Sequence, residues 1–302
     1  MTIMHKVVKM IEKEFLMFTI FEINEVIHKK RAKYLYKRFS KSLQSHISYR
    51  AFKKLFKYYC KHYGKSDIYL DRFNEGNGEA VWYSSNRDAG ISMTFHQYEI
   101  TSILLLPIDT EPSHVLKTFN QYIMPIENEF YIFWGGDNTL LNYHHPNESQ
   151  RYAYDLVIMK DGRTYRDDGS QLEHYYCYGA PVIAPYDGEV VVAHDDKEDF
   201  QPGVVDEQNP LGNYVILKHR ENEYSLIAHL KYHSLRVKTG DKVKQGDRLA
   251  LCGNSGHTTE PHIHFQVMTD INYTRGKSMK IQFIDQHQYE KGEIVSGLEQ
   301  MK

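Results

Sequence analysis

The stretch Pro261-His262-Ile263-His264-Phe265, entered through the turn Leu251-Cys252-Gly253-Asn254-Ser255-Gly256, decides how the second half of this 302-residue chain reads. A strand turns successive side chains to opposite faces, so residues two apart share a face. His262 and His264 then point the same way, and their imidazoles can serve one metal centre. Two histidines do not complete a catalytic zinc site, which takes three protein ligands and keeps a position for water. The remainder must come from elsewhere, and upstream lie both further histidines and carboxylates.

Outward from that strand, short apolar runs alternate with turn residues. They cover Phe130 to Trp134, Tyr152 to Met159, Pro181 to Ala184, Glu189 to His194, Tyr214 to His219, Tyr224 to His229, Arg248 to Cys252 and His262 to Met268. Runs of this length bounded by turns read as strands, and no helical stretch of comparable length interrupts them. Residues 130–290 are therefore expected to form a mainly antiparallel β domain, followed by a tail over 291–302. Pro107, Asp109, Pro112 and Pro125 punctuate the segment before it, so 111–129 reads as a linker. The first 110 residues differ in character. Val7, Val8, Ile11, Phe15 and Phe18 recur at helical steps, as do Phe52, Leu55, Phe56 and Tyr59, with Ser48 as a start and Gly64 as a stop. After Gly64 the alternation is strand-like over 68–73, 79–84, 91–95 and 99–105. Helices followed by an antiparallel meander predict an α+β domain.

Hydrophobic residues make up 41% of the chain, enough for real cores, and 24 tyrosines suit β structure and amphipathic surfaces. No apolar run approaches a membrane span. The run Phe15 to Phe21 is too short and too acid-flanked for a signal peptide. Localisation is left open on this reading. Three cysteines, Cys60, Cys177 and Cys252, form no disulfide framework and no Cys-x-x-Cys pair, so they read as buried thiols. Charge is unevenly spread: Met1 to Lys65 holds 16 Lys/Arg against 4 Asp/Glu, and the remainder 21 against 35. That asymmetry suggests two modules with different partners, although a solvated lysine-rich helix face accounts for the same count.

Four ordered pieces of the second module resemble the lysostaphin-like zinc endopeptidases, which cut peptides of the bacterial cell wall. They are Asn142-Tyr143-His144-His145 with Arg151 to Leu156; Gly179 to Val190; Gly212 to His219 with Ile227-Ala228-His229-Leu230; and Gly240-Asp241-Lys242-Val243, Gly246-Asp247 and Gly253 to Gly256 leading into Pro261 to Phe265. The likeness runs from about Trp134 to Met268. The segments Phe39 to Leu43, Ala80 to Tyr83 and Ile91 to Phe95 resemble the small α+β domains of the nuclear-transport-factor-like type.

The first resemblance implies a duplicated-hybrid-motif-like β fold and one zinc ion per chain. It implies Asp155 and the second histidine of the pair, His264, as metal ligands, with His229 and His262 assisting the chemistry. The common compact spacing puts the first ligand four residues before the aspartate, but position 151 is Arg. A longer-spaced branch has it in an Asn-Tyr-His context, which matches His144, with His145 next door as the alternative. Such a centre suits peptide hydrolysis, since zinc polarises a carbonyl and lowers the pKa of its water from about 15.7 towards about 7. A neighbouring histidine can move the proton or stabilise an oxyanion. Asp155 within the apolar run Tyr152 to Met159 would be costly without a metal or partner.

The implied function is hydrolysis of peptide bonds in peptidoglycan stems or cross-bridges. The basic N-terminal module is a candidate for docking on an anionic wall polymer. Glu260 and the acidic run Asp195-Asp196-Lys197-Glu198-Asp199 are expected to form an acidic groove wall suited to amine-bearing peptides. Alternatives are a non-catalytic wall-binding or regulatory protein of the same family, a zinc peptidase acting on another protein, or a structural β domain with incidental histidines. His5, His28, His46, His174, His233 and His287 read as surface or satisfied residues, His219 as a strand end, and His257 as a possible lining of the cleft.

Overall fold

Among the residues that the computed structural model describes (25–26, 29, 31–74, 77–108 and 114–297), helices come first and strands follow. The chain divides into two units, Met1–Thr110 and Glu111–Lys302. The helical expectation over Val7 to Phe18 lies outside the described residues. The first unit has α1 (Ala32–Tyr36), α2 (Lys41–His46) and α3 (Tyr49–His62). Ser40 and Ser48 cap α2 and α3, their hydroxyls accepting from the amides of Leu43 and Ala51. Phe52, Phe56, Tyr59 and Cys60 make the buried stripe of α3. Gly64, at φ +71°, follows that helix in the left-handed region where a Cβ would be strained. Then β1 (Ser66–Asn74), β2 (Asn77–Ser84), β3 (Ala89–His96) and β4 (Glu99–Pro107) pair in chain order as an antiparallel meander. Trp82, Ile91 and Met93 share one core with the α3 stripe.

The second unit is built of strands. It opens with β5 (Lys117–Tyr122), β6 (Glu129–Trp134) and β7 (Tyr154–Val157). Next come β8 (Pro181–Ile183), β9 (Gly188–His194), β10 (Asn213–Arg220) and β11 (Glu223–Leu230). The last are β12 (Lys242–Val243), β13 (Arg248–Leu251), β14 (Ile263–Met268), β15 (Ser278–Phe283) and β16 (Ile294–Ser296). One sheet runs β12-β9-β10-β11-β14-β7-β6-β16, and β15 links β14 to β5. β8 and β13 form a separate pair. β15 pairs with β5 in parallel, and the other pairs are antiparallel.

Two boundaries correct the sequence reading. Residues 111–129 are not a linker, because β5 joins the sheet and Tyr122, Ile123, Met124 and Ile126 are fully buried. Their prolines flank the strand rather than interrupt it. Nor is 291–302 simply a tail, since β16 pairs with β6 and buries Val295.

Alternation gives the large sheet two faces. Val215, Leu217, Ile227, Ile263, Phe265 and Val267 enter the main core with Val182, Leu249 and Ala250 of the small sheet. Ile216, Leu226, Ala228 and Met268 turn the other way, to the face that carries the site described below.

Glu223, at the start of β11, is buried yet fully engaged with β5. Its Oε2 accepts from the Phe119 amide at 2.8 Å, and Oε1 accepts from the Asn120 amide at 3.1 Å and the Tyr122 hydroxyl at 2.7 Å. A buried carboxylate is tolerated when donors satisfy it in this way. Each such bond to a charged group is worth about 1.5–3 kcal/mol, so Glu223→Ala should destabilise the second unit by about 3 kcal/mol or more. Urea unfolding followed by circular dichroism measures this, and an unchanged midpoint would contradict it.

Candidate metal centre

Strand register assembles the site. Asp155 on β7 stands opposite Trp134 on β6 and His264 on β14, His264 opposite Ala228 on β11, and Ala228 opposite Tyr214 on β10. Directly opposed residues share a face. One row of side chains thus crosses five strands, with Asp155 and His264 at its middle. Asp155 Oδ1 lies 3.0 Å from His264 Nδ1, and Asp155 Oδ2 lies 3.1 Å from His144 Nε2.

His144 comes from the loop between β6 and β7, and Asn142 holds that loop in shape. The Asn142 amide nitrogen donates to the carbonyls of Gly136, Arg151 and Ala153 at 3.0–3.2 Å, while its oxygen accepts from the His144 amide at 3.1 Å. Fully buried, Asn142 supplies the turn with the polar partners that water would otherwise provide. Tyr143, whose ring is half-exposed, turns its hydroxyl toward Asp155; burial of that group and the neighbouring carboxylate push its pKa up.

His229 reaches the site through a bulge. Asn213 pairs with Leu230 and Tyr214 with Ala228, so His229 is the extra residue, and its φ is +61°. A strand residue following Ala228 would ordinarily face the main core; the bulge turns it to the site. Its Nδ1 lies 2.9 Å from the Ser255 carbonyl, and its ring is 4.7 Å from that of His262 and 6.0 Å from that of His264. Ser255 is fixed by a tight turn. At Gly256, φ +91°, a Cβ would lie 2.4 Å from the Gly212 amide nitrogen, so only glycine fits there. His262 directs Nδ1 at the Glu260 carbonyl, 2.9 Å away, and brings Nε2 within 3.7 Å of Asp155 Oδ1.

Carbonyl oxygens only accept, so Nδ1 of both His229 and His262 carries hydrogen and Nε2 is the free nitrogen of the neutral ring. Burial, then the charges of His262 and His264, hold the His229 pKa well below the ordinary histidine value. Burial alone would raise Asp155, but His144 and His262 and the bonds from His144 and His264 outweigh it and keep the carboxyl ionised. Burial alone would lower His264, yet its bond to Asp155 raises it above the ordinary value.

One nitrogen or oxygen from each of His144, Asp155 and His264 lies within 4.8 Å of the others, and all three residues are buried. Tetrahedral zinc with bonds of about 2.0–2.2 Å would set neighbouring ligand atoms roughly 3.3 Å apart. The contacts of 3.0 and 3.1 Å are close to that spacing, and a neutral-imidazole and carboxylate donor set suits zinc, so the residues present fit the ion.

The structure sorts the remaining sequence candidates. His145 turns from this cluster to Tyr152, with ring centroids 6.3 Å apart. His257 is exposed. His219 is held by the Asp187 carbonyl and the Ser225 hydroxyl at the end of its strand. Cys177 and Cys252 are buried and free. Three carboxylates of the expected acidic wall also hold structure. Asp195 accepts from the amides of Ser234 and Leu235, Asp199 from the Tyr178 hydroxyl and the Asn254 amide, and Glu260 from the Thr164 hydroxyl. Sequence reasoning gave no role to Asn142, Gln150, Ser255 or Gln266, because lone amides and hydroxyls carry no spacing signal.

Parts of the chain are similar to known proteins. Residues 169–279 match Peptidase family M23, a span that includes His229, His262 and His264. An "Uncharacterized metalloprotease" of Haemophilus influenzae is 42% identical over 88 residues, 29% of this chain and 16% of that protein. Peptidoglycan DD-endopeptidase ShyB of Vibrio cholerae is 34% identical over 90 residues, 30% of this chain and 18% of that protein. The chain therefore spans less than a fifth of the length of these two relatives. Among solved structures, the catalytic domain of the antimicrobial peptidase lysostaphin from Staphylococcus simulans is 20% identical, with 50% of this chain and 88% of that chain covered at a TM-score of 0.30. Within the second unit, the likeness to Peptidase family M23 extends over residues 169–279.

Proposed function

We propose that the second unit is a zinc-dependent endopeptidase that hydrolyses peptide bonds in bacterial peptidoglycan, within stems or cross-bridges. The observation that carries this reading is the buried His144, Asp155 and His264 cluster with two further imidazoles, His229 and His262, beside it. The names of the relatives, peptidoglycan DD-endopeptidases among them, supply the substrate class. His144, Asp155 and His264 would hold the ion. When bound, zinc supplies Lewis acidity towards the scissile carbonyl and a water of lowered pKa.

The chain's own residues do the rest. Asp155 brings one negative charge and orients His144 and His264. Neutral at pH 7 through its depressed pKa, His229 offers Nε2 as a proton acceptor. His262, held by the Glu260 carbonyl, presents Nε2 on the same side and can orient the water or assist the developing oxyanion.

The first unit supports a second partner, an anionic wall polymer such as teichoic acid. Arg31, Lys33, Lys37 and Lys53 line an open concavity of about 400 Å³ with Tyr34 and Tyr49, and among the described residues no carboxylate lines it. Among the described residues no helix is long and apolar enough to cross a membrane.

Zinc should bind at about one ion per chain, and Asp155→Ala or His264→Ala should remove most of it. His144→Ala should weaken binding far more than His145→Ala; the reverse would move the ligand by one residue. Because the His264 pKa is raised above the ordinary 6.5, protons compete with metal below that raised value, so on acidification affinity should begin to fall while the pH is still above 6.5. Metal titrations across pH check each of these outcomes.

His229→Ala and His262→Ala should keep zinc and lose turnover by about 10² or more, the scale of acid–base assistance. Mass analysis of peptides released from purified peptidoglycan, with and without chelator, reads this; loss of zinc with activity would instead make these residues ligands. Binding of the whole protein to sacculi should fall between 0.1 and 1 M salt, as the Debye length shrinks from about 10 Å to about 3 Å. It should also fall when teichoic acid is stripped, and salt-independent binding would remove the polymer from the account.

A further inference from the structure

Each imidazole of the cluster has a glutamine amide behind it. His264 Nε2 lies 3.0 Å from Gln266 Oε1, and His144 Nδ1 lies 3.3 Å from Gln150 Oε1. An amide can present either its oxygen or its nitrogen, so its orientation must be fixed by another partner. Gln266 has such partners. Its nitrogen donates to the Ser149 carbonyl at 3.1 Å and reaches Met268 Sδ at 3.4 Å, and both of those atoms only accept. Gln266 Oε1 must therefore face His264, and His264 Nε2 must carry hydrogen. In the neutral ring the lone pair is then on Nδ1, the nitrogen that faces Asp155 Oδ1 at 3.0 Å.

We infer that Gln266 is a positioning residue: by accepting from His264 Nε2–H it fixes the tautomer and ring orientation that present Nδ1 to the metal. This rests on the proposed His144, Asp155 and His264 centre. Three further features support it. Gln266 is two residues from His264 on β14, so the sheet itself sets both side chains on one face. It is fully buried, so solvent does not stand in for its carbonyl oxygen. As a neutral amide it accepts without adding a second negative charge beside Asp155. Outer partners of metal-binding histidines typically change metal affinity by about 10–100-fold when removed. Gln150 stands in the corresponding place behind His144, but among the described residues no second partner fixes the orientation of its side chain, so the inference is confined to Gln266.

The test uses the full-length chain. Gln266→Met replaces the amide oxygen with a thioether sulfur, a far weaker acceptor, at similar length, while Gln266→Glu keeps an oxygen acceptor. Zinc affinity is measured against a chromophoric chelator, and the ligating nitrogen is read from cadmium–nitrogen coupling in histidine-labelled protein loaded with cadmium-113. The expected result is coupling to His264 Nδ1 in the parent, affinity about 10–100-fold weaker in Gln266→Met, and recovery in Gln266→Glu. Coupling to Nε2 in the parent, or unchanged affinity and unchanged Nδ1 coupling in Gln266→Met, overturns the inference. If Gln266→Met does not fold, the parent coupling and the Gln266→Glu affinity decide. A parent protein that holds metal through Nδ1 but releases nothing from peptidoglycan defeats the hydrolase proposal alone. One that cleaves the wall with His264 bound through Nε2 defeats this inference alone.

Discussion

A carboxylate in the middle of a large sheet is the constraint on which the site depends. Asp155 sits on a four-residue strand buried throughout, between β6 and β14, where an isolated negative charge is heavily penalised. The fold answers with imidazoles on both oxygens, one from the neighbouring strand and one from a pinned loop. Their combined effect exceeds the cost of burial, which is why Asp155 stays ionised. A charge so enclosed is poised for a cation.

Around that carboxylate each histidine is aimed by a different backbone device. His264 owes its direction to plain strand alternation, His144 to the side chain of Asn142, and His229 to a bulge against β10. Carbonyl oxygens of Ser255 and Glu260 then choose the tautomers of His229 and His262. Because a carbonyl has no donor to offer, these choices are insensitive to side-chain rearrangement nearby. The result is a cluster in which two histidines face the carboxylate directly and two stand close by with a free nitrogen.

The parts that could be read from sequence are those with a local period. His262 and His264 declare a strand by their two-residue spacing, and Asp155 stands out as a lone acid in an apolar run. The α3 stripe and its Ser48 cap follow from helical steps. β5 was invisible because its partner, β15, lies some 160 residues away and only that pairing makes Lys117 to Tyr122 a strand. The choice of His144 over His145 rests on the resemblance to an Asn-Tyr-His context and not on any period, because loop direction depends on the side chain of Asn142. Composition likewise counts Asp195, Asp199 and Glu260 only as surface charge, while the fold also uses them as acceptors for amides and hydroxyls.

The left-handed backbone at His229 sets local comfort against chemistry. A non-glycine residue held in such a conformation costs on the order of 1–3 kcal/mol, which the surrounding structure must absorb. Glycine at that position would relax the bulge and remove the imidazole together. The least strained residue there is therefore the least useful one. A chain selected for thermal endurance alone would drift toward glycine or asparagine at 229.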